Sequence, residues 1–189
     1  MTLGDVAMEP LFVDDICLRP FEPHDVAAFV AAVRESHASV GRWMNWCPRD
    51  YTVADAEIWF ALASKHLHEG TVYELGIFSS NRTDVLGGVG LNQFNREHNF
   101  CNLGYWVRES RQGQGIATRA ARALAEFGFR ELKLGRIEIV VAQGNGPSQR
   151  VAQKIGATFE CVARNRLVVD GRAQAAAVYS LVPDGVFNV

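Results

Sequence analysis

Hydrophobic positions along the chain change period several times. The apolar stretch Ile16-Cys17-Leu18 predicts a strand ending at Arg19-Pro20, because proline cannot continue a hydrogen-bonded ladder freely. Pro23-His24-Asp25 then opens a helix whose apolar positions Val26, Phe29, Val30 and Val33 recur at helical spacing. The following segment, 39–46, carries Trp43, Met44 and Trp46. Thr52 with Asp55 three residues on resembles a capping box, Asp standing for the usual Glu or Gln. It introduces a second long helix bearing Ile58, Trp59, Leu62 and Leu67.

From residue 72 the period becomes that of strands. Runs at 72–78, 85–94 and 100–107 are separated by turn chemistry at 79–84 and 95–99, which predicts an antiparallel meander. Helical spacing returns over about 115–132, with Ile116, Ala120, Ala123, Leu124 and Phe127 on one side, and ends near Gly135. A short apolar strand at 137–141 follows. Pro147 fits the first turn of a last helix, and Gly156 lies where it should stop. Asp170-Gly171 between Leu167-Val168-Val169 and Ala177-Val178-Tyr179 is a hairpin signal. The order is strand, helices, three strands, helix, strand, helix, two strands. With no repeat and no long linker, the 189 residues are expected to form one domain.

Composition narrows the classes. Hydrophobic residues make up 48% and charged residues 21%, as in an ordinary globular protein. A net charge of -2 removes the broad attraction that most nucleic-acid binders rely on, so no nucleic-acid partner is expected. Arg164, Arg166 and Arg172 near the hairpin read as a solvated face. Cys17, Cys47, Cys101 and Cys161 include no CxxC pair, so neither a metal site nor a redox motif is indicated and buried free thiols are expected. The start, with Asp5 and Glu9, lacks a signal-peptide pattern, and no apolar run reaches membrane-spanning length; a cytoplasmic protein away from the membrane fits best.

Candidate chemistry centres on Val107-Arg108-Glu109-Ser110-Arg111-Gln112-Gly113-Gln114-Gly115-Ile116-Ala117-Thr118, which joins a strand to a helix through close glycines. Such a loop turns backbone N–H groups outward, and with the positive end of the helix dipole it suits a diphosphate. It is not a Walker A loop, since no Gly-Lys-Ser/Thr follows. Thr118 replaces the third glycine of a dinucleotide fingerprint. A plain strand-to-helix turn is the alternative.

The later segment Asn145-Gly146-Pro147-Ser148-Gln149-Arg150-Val151-Ala152-Gln153-Lys154-Ile155-Gly156-Ala157-Thr158-Phe159-Glu160, together with the glycine loop, resembles the GNAT superfamily of N-acetyltransferases. Asn145, Ser148, Lys154, Gly156 and Phe159 match its motif. Gly104-Tyr105-Trp106 before the loop, and Leu18-Arg19-Pro20 with Trp43, are similar to the ribosomal-protein N-terminal acetyltransferases of RimJ/RimL type. The resemblance runs from about residue 16 to 181. It implies an α+β fold of α/β/α layers around a mixed, mostly antiparallel seven-stranded sheet, in which one parallel pair splays apart to bind acetyl-CoA. It also implies acetyl transfer to a primary amine without a metal, and makes a homodimer common.

The resemblance assigns Trp106 and Val107 to backbone contacts with the pantetheine arm, and Gln112, Gly113, Gln114, Gly115, Ile116 and Ala117 to the phosphates. Asn145 would bond the arm, and the N–H of Val107 would receive the oxyanion. Ser148 would serve the departing thiolate, or would merely cap its helix. The family's carboxylate positions hold Asn102 and, about, Leu167, neither of which can take a proton. Glu74 is the remaining candidate base, with a surface carboxylate as its alternative; His98 reads as exposed and a water chain is also open. Trp43 and Trp46 are the candidates for the acceptor site, with core packing as their alternative. The acceptor is expected to be a protein N-terminus, such as that of a ribosomal protein. A small amine (antibiotic, polyamine, amino acid) and a non-catalytic CoA-binding module are the rival readings.

Overall fold

The alternating runs pair into one sheet, seen in a computed structural model that describes residues 8–183; residues 1–7, Asp5 among them, and 184–189 lie outside the described residues. Its strands are β1 (Leu11–Val13), β2 (Ile16–Arg19), β3 (Tyr73–Ser79), β4 (Val85–Asn95), β5 (Phe100–Val107), β6 (Arg136–Ala142), β7 (Thr158–Val169) and β8 (Arg172–Leu181). Their order is β1-β2-β3-β4-β5-β6-β8-β7, and every neighbouring pair is antiparallel except β5 with β6. The architecture is therefore the α+β one expected, with eight strands where seven were read. The extra strand is β1, which pairs Leu11 with Leu18 and Val13 with Ile16. Its turn, Asp14-Asp15, contains no glycine or proline, although Asp14 sits at φ 50°, and Phe12 at the sheet edge is 57% exposed. The three residues of β1 are too short a run to establish a period, and its turn lacks the glycine that marks the later hairpin.

Among the described residues four α-helices cover the sheet: α1 (Val26–Glu35), α2 (Val53–His68), α3 (Ile116–Arg130) and α4 (Gly146–Lys154). None is long and apolar enough to cross a membrane. The face under α3 and α4 is aliphatic, with Leu75, Leu91, Leu103, Leu124 and Ile137 fully or almost fully buried. The face under α1 and α2 is aromatic: Phe21 stacks on Phe60 at 4.7 Å between ring centroids, and Phe29 meets both edge-on.

The capping box of α2 forms in full, Thr52 Oγ1 accepting from Asp55 N–H and Asp55 Oδ2 accepting from Thr52 N–H. Of the apolar residues read on this helix, Trp59 and Leu67 pack partly buried against the core, but the fully buried stripe is another one. Ala56, Phe60 and Ala63 face the sheet, while Ile58 is 62% and Leu62 44% exposed. Small residues on either side of Phe60 let the helix lie close enough to place that ring in the aromatic stack, which outweighs burying the larger aliphatics. Cys17, Cys47 and Cys101 are buried as expected, but Cys161 on β7 is exposed.

At the N-terminal side, Arg19 closes the β2-to-α1 turn. Its guanidinium donates from Nη1 to Asp25 Oδ2 at 2.7 Å and from Nη2 to Asp25 Oδ1 at 2.8 Å, both residues being buried. Asp25 Oδ2 also accepts from the Glu22 N–H. At the other end, Asp170 (φ 50°) and Gly171 (φ 71°) make the hairpin turn, but β7 and β8 extend far beyond the three-residue runs read from sequence. The β7 side chains are mostly exposed, apolar Phe159, Val162 and Val168 among them, so no buried alternation reveals its length.

The feature that positions the site is the parallel pair. β5 and β6 are in register only at Phe100/Arg136, Cys101/Ile137 and Asn102/Glu138, although both strands continue beyond those residues. Past Asn102 they diverge, leaving the last turns of β5 without a partner on that side.

Candidate active site

A cavity of about 450 Å³ opens at the divergence, between the end of β5, the starts of α3 and α4, and the loop that carries Trp43. On its floor Gly113 (φ 77°) and Gly115 (φ 74°) hold the left-handed conformation that side chains disfavour. Gly115 is the N-cap of α3, and among the described residues no side chain caps that helix's first turn. A Cβ placed at Gly113 would meet nothing within 4 Å. The result is an open cradle of main-chain donors at a helix N-terminus, the arrangement that suits a diphosphate.

Of the loop residues picked from sequence, Gln112, Gly113, Gly115, Ile116 and Ala117 line this cavity, as do Trp106, Val107, Asn145 and Ser148. Gln114 does not; its carbonyl is turned away to accept from Arg119 Nη1 at 3.0 Å. The cations Arg111 and Arg150 also line the cavity without having been assigned a role from sequence, and so does Lys154, which was named there only as a motif match. Arg150 and Lys154 are one helical turn apart on α4, a spacing that was visible but carries no meaning until α4 is placed beside the glycine loop.

The loop is fastened to the end of α1. Glu35 accepts from Arg108 Nη2 and from Arg108 Nε (3.1 Å) through Oε2, and from the Ser110 N–H (2.7 Å) through Oε1. Chiefly because of the Arg108 hydrogen bond, the Glu35 carboxyl is pulled down to about 2. Ser36 Oγ accepts from the Glu109 N–H at 3.1 Å. Gln112 Nε2 donates to Ser39 Oγ (3.2 Å) and to the Val107 carbonyl (3.0 Å).

On the opposite wall, Asn145 settles one open alternative. It is the N-cap of α4, its Oδ1 accepting from the Ser148 N–H at 3.3 Å, so Ser148 is not the cap. The Ser148 hydroxyl instead donates to Tyr105 Oη at 3.1 Å, and Tyr105 Oη donates to the Ser148 carbonyl at 2.9 Å. Tyr105 is buried and lines the cavity; burial pushes its phenol up to about 12 against the opposing hydrogen bond from Ser148.

The α1/α2 side of the sheet holds the remaining candidates. Asn102 Nδ2 donates to Asn92 Oδ1, and Asn92 Nδ2 to Glu74 Oε1, each at 3.0 Å, forming a polar row across β5, β4 and β3. The Glu74 carboxylate lies over Gly90, where a Cβ would come within 2.1 Å of it. Burial raises the Glu74 carboxyl, opposed by the Asn92 hydrogen bond. Neither Glu74 nor Asn102 lines the cavity, so the structure does not bring the candidate base into it. His98 is exposed in the β4–β5 turn and Leu167 is half-buried on β7. Among the described residues lining the cavity none is Asp, Glu or His.

Trp43 lines the cavity beside Gly144. Trp46, 41% exposed, packs edge-on against Trp106 at 5.3 Å, and the Trp106 ring lies over Gly88. Between the two tryptophans, Asn45 reaches across to the β7–β8 hairpin, donating to the Val168 carbonyl (3.2 Å) and accepting from the Asp170 N–H (3.1 Å).

Comparison with known proteins agrees with this geometry. Residues 15–158 match the family described as the acetyltransferase (GNAT) domain. YdaF of Bacillus subtilis strain 168, by its name a candidate ribosomal N-acetyltransferase, is 26% identical over 177 residues, covering 89% of this chain and 92% of its own. The spermidine N(1)-acetyltransferase of Escherichia coli K12 is 24% identical over 159 residues, covering 84% and 81%. Among solved structures, RimL, a ribosomal L7/L12 alpha-N-protein acetyltransferase in complex with coenzyme A, superposes with a TM-score of 0.85 at 21% identity, covering 93% of this chain and 99% of that one.

Proposed function

Because this chain belongs to the GNAT acetyltransferase family, we propose that it moves the acetyl group of acetyl-CoA onto the α-amine of a protein N-terminus, with ribosomal proteins as the first acceptors to test. The observation that carries the choice of amine is the lining of the cavity, in which none of the described residues is a carboxylate or an imidazole. Without a base at hand, the acceptor must arrive as the neutral amine. At pH 7 that costs about 1 kcal/mol for an α-amine and about 4.6 kcal/mol for a lysine side chain, from pKa values near 7.7–8.0 and 10.4. The difference of more than two powers of ten in available nucleophile favours the α-amine.

The residues fit acetyl-CoA. The Gly113 and Gly115 backbone would receive the diphosphate, with Arg111, Arg150 and Lys154 balancing its charge. Val107, whose main-chain groups face the unpartnered edge of β5, would meet the pantetheine arm as an added strand does, whereas Trp106, opposite Gly88, turns its N–H and C=O to β4 and cannot pair with the arm as expected from sequence; Asn145 would bond the same arm. The co-substrate supplies an activated acyl group on sulfur. The Val107 N–H is the donor for the oxyanion, and Ser148 serves the sulfur. Trp43 and Trp46 would shape the acceptor mouth, bounded by the Asn45 contact with the hairpin. YdaF and RimL carry names pointing to ribosomal substrates, which supports the choice of acceptor.

A small cationic amine is the second reading, favoured by the half-buried Glu74 carboxylate beside Asn92 and Asn102 and by the likeness to a spermidine acetyltransferase. Purified protein with acetyl-CoA, followed for free thiol, separates the two. Peptides with a free α-amine should turn over and the same peptides with a blocked N-terminus and a free lysine should not. Turnover confined to polyamines or other small amines overturns the protein-acceptor reading.

A further inference from the structure

We propose that Tyr105 is a positioning residue that acts through Ser148, and that the two hydroxyls form a reversible relay which solvates the sulfur as it leaves. The inference rests on the reading that Ser148 faces the thioester. In the protein as it stands, the Ser148 hydroxyl proton is directed at Tyr105 Oη, and the Tyr105 proton at the Ser148 carbonyl. A serine in that state has nothing to offer sulfur. Both hydroxyls are single-bond rotors, however, and the 3.1 Å Oγ···Oη contact serves equally well with its direction reversed. When Ser148 turns its proton into the cavity, Tyr105 can turn its own onto Ser148 Oγ. The Ser148 carbonyl stays satisfied by the main-chain hydrogen bonds of α4. A donor that is itself receiving a hydrogen bond is a stronger donor, so the phenol polarises the serine.

The step balances without a proton changing owner. The C–S bond of the tetrahedral adduct breaks, its electron pair stays on sulfur, and the thiolate departs with the Ser148 O–H bonded to it and the Tyr105 O–H bonded to Ser148. The thiolate then takes its proton from water, which receives the extra proton of the acylated nitrogen, so that an amide and a free thiol are the products. Outright proton transfer from the pair is unfavourable: a phenol at about 12 against a thiol near 8.5 runs uphill more than a thousandfold. Stabilisation by hydrogen bonding is what this pair can supply. Burial of Tyr105 in the aliphatic core keeps its hydroxyl aimed at α4. A phenol in such a core also needs a partner, so a purely structural role predicts a loss of stability and nothing else.

Three variants separate the roles: Tyr105→Phe, Ser148→Ala and the pair together, each assayed for the single-turnover rate of acetyl transfer to the best amine of the panel above, and for the KM of acetyl-CoA. The relay predicts that either single change slows the chemical step about 10- to 100-fold and leaves that KM within about twofold. The double variant should be no slower than Ser148→Ala. If Ser148→Ala is slow but Tyr105→Phe keeps the wild-type rate and only melts earlier, the relay is wrong and the Ser148 assignment stands. If Ser148→Ala is as fast as wild type, the Ser148 assignment itself fails and the relay with it. Additive losses in the double variant show that Tyr105 does not act through Ser148. Should Tyr105→Phe fold poorly, fluorotyrosines incorporated at position 105 keep the packing while making the phenol more acidic; a rate that does not follow that acidity overturns the relay.

Discussion

The two walls of the cleft are made of different material. The wall we propose for the coenzyme is main chain: two glycines at positive φ, an uncapped helix start and the unpaired edge of β5. The wall we propose for the acceptor is side chain: Trp43, Trp46 and Trp106, with Gly88 under the Trp106 ring and the Glu74–Asn92–Asn102 row beside them. A main-chain wall has one geometry and one ligand class, because every chain offers the same N–H and C=O groups. A side-chain wall can be rebuilt residue by residue without disturbing the backbone. The family can therefore be read from the first wall, while the acceptor is written on the second.

The largest effect that tests this contrast is at Gly115. Gly115→Val puts a β-branched residue at φ 74° with its Cβ about where Arg119 Nη1 allows only 3.3 Å. Affinity for acetyl-CoA, measured by calorimetry, should fall at least about 100-fold, or about 2.7 kcal/mol. Gly113→Ala sharpens the point, since its Cβ meets nothing in the protein. The fold should lose only the about 1–2 kcal/mol of the left-handed backbone, read as a modest drop in melting temperature. Binding should fall by a further tenfold or so, because the new methyl stands where the diphosphate approaches the amides. If Gly113→Ala binds acetyl-CoA as tightly as its stability loss alone allows, the main-chain cradle is not the coenzyme wall.

What was legible in the sequence follows the same division. Gly113, Gly115 and Gly156 are at positive φ where their spacing predicted a loop, a helix start and a helix stop. The Thr52/Asp55 pair caps α2 where a local pattern announced it, and Pro147 opens α4 as read, although the cap there is Asn145 and not Ser148. These are local constraints and leave local marks. Phe60 was not read as the anchor of α2, and Ile58 was, because the choice between them is made by Phe21 and Phe29, which lie elsewhere in the chain. Tyr105 went unassigned for the same reason: its partner Ser148 is 43 residues away. Glu74 was picked as a lone carboxylate on a strand near the cleft, but only the register of β3, β4 and β5 shows it tied to Asn92 and set apart from the cavity.

An intermediate effect tests the acceptor wall. Trp43 lines the cavity and touches the Gly144 turn, so Trp43→Ala removes apolar surface from the mouth without altering the glycine loop. The KM for the acceptor should rise about tenfold, in keeping with about 1.4 kcal/mol for one aromatic contact, while the KM for acetyl-CoA stays within about twofold. Equal rises in both would mean that the walls are not separable and that Trp43 belongs to the coenzyme side.

The smallest effect joins the walls. Glu35, at the end of α1, holds Arg108 and the Ser110 N–H and so ties the glycine loop to the segment that leads to Trp43. Its carboxyl ordinarily titrates at 4.5 and is held at about 2 in the fold, mainly by the Arg108 hydrogen bond. A depressed carboxyl stabilises the fold fully above pH 4.5, and that contribution disappears as pH falls from 4.5 towards 2. The nominal gain exceeds about 3 kcal/mol, but both side chains are partly exposed, 29% for Glu35 and 23% for Arg108, and solvent screening reduces it to about 1–2 kcal/mol. Glu35→Gln should therefore lower stability by that amount at pH 7 and flatten this part of the acid-unfolding curve between pH 4.5 and 2. Acetyl-CoA affinity should weaken about threefold, because the loop keeps its glycines and loses only a tether. A Glu35→Gln protein that binds acetyl-CoA normally but has lost acceptor affinity would reverse the assignment, making Glu35 a support of the side-chain wall rather than of the main-chain one.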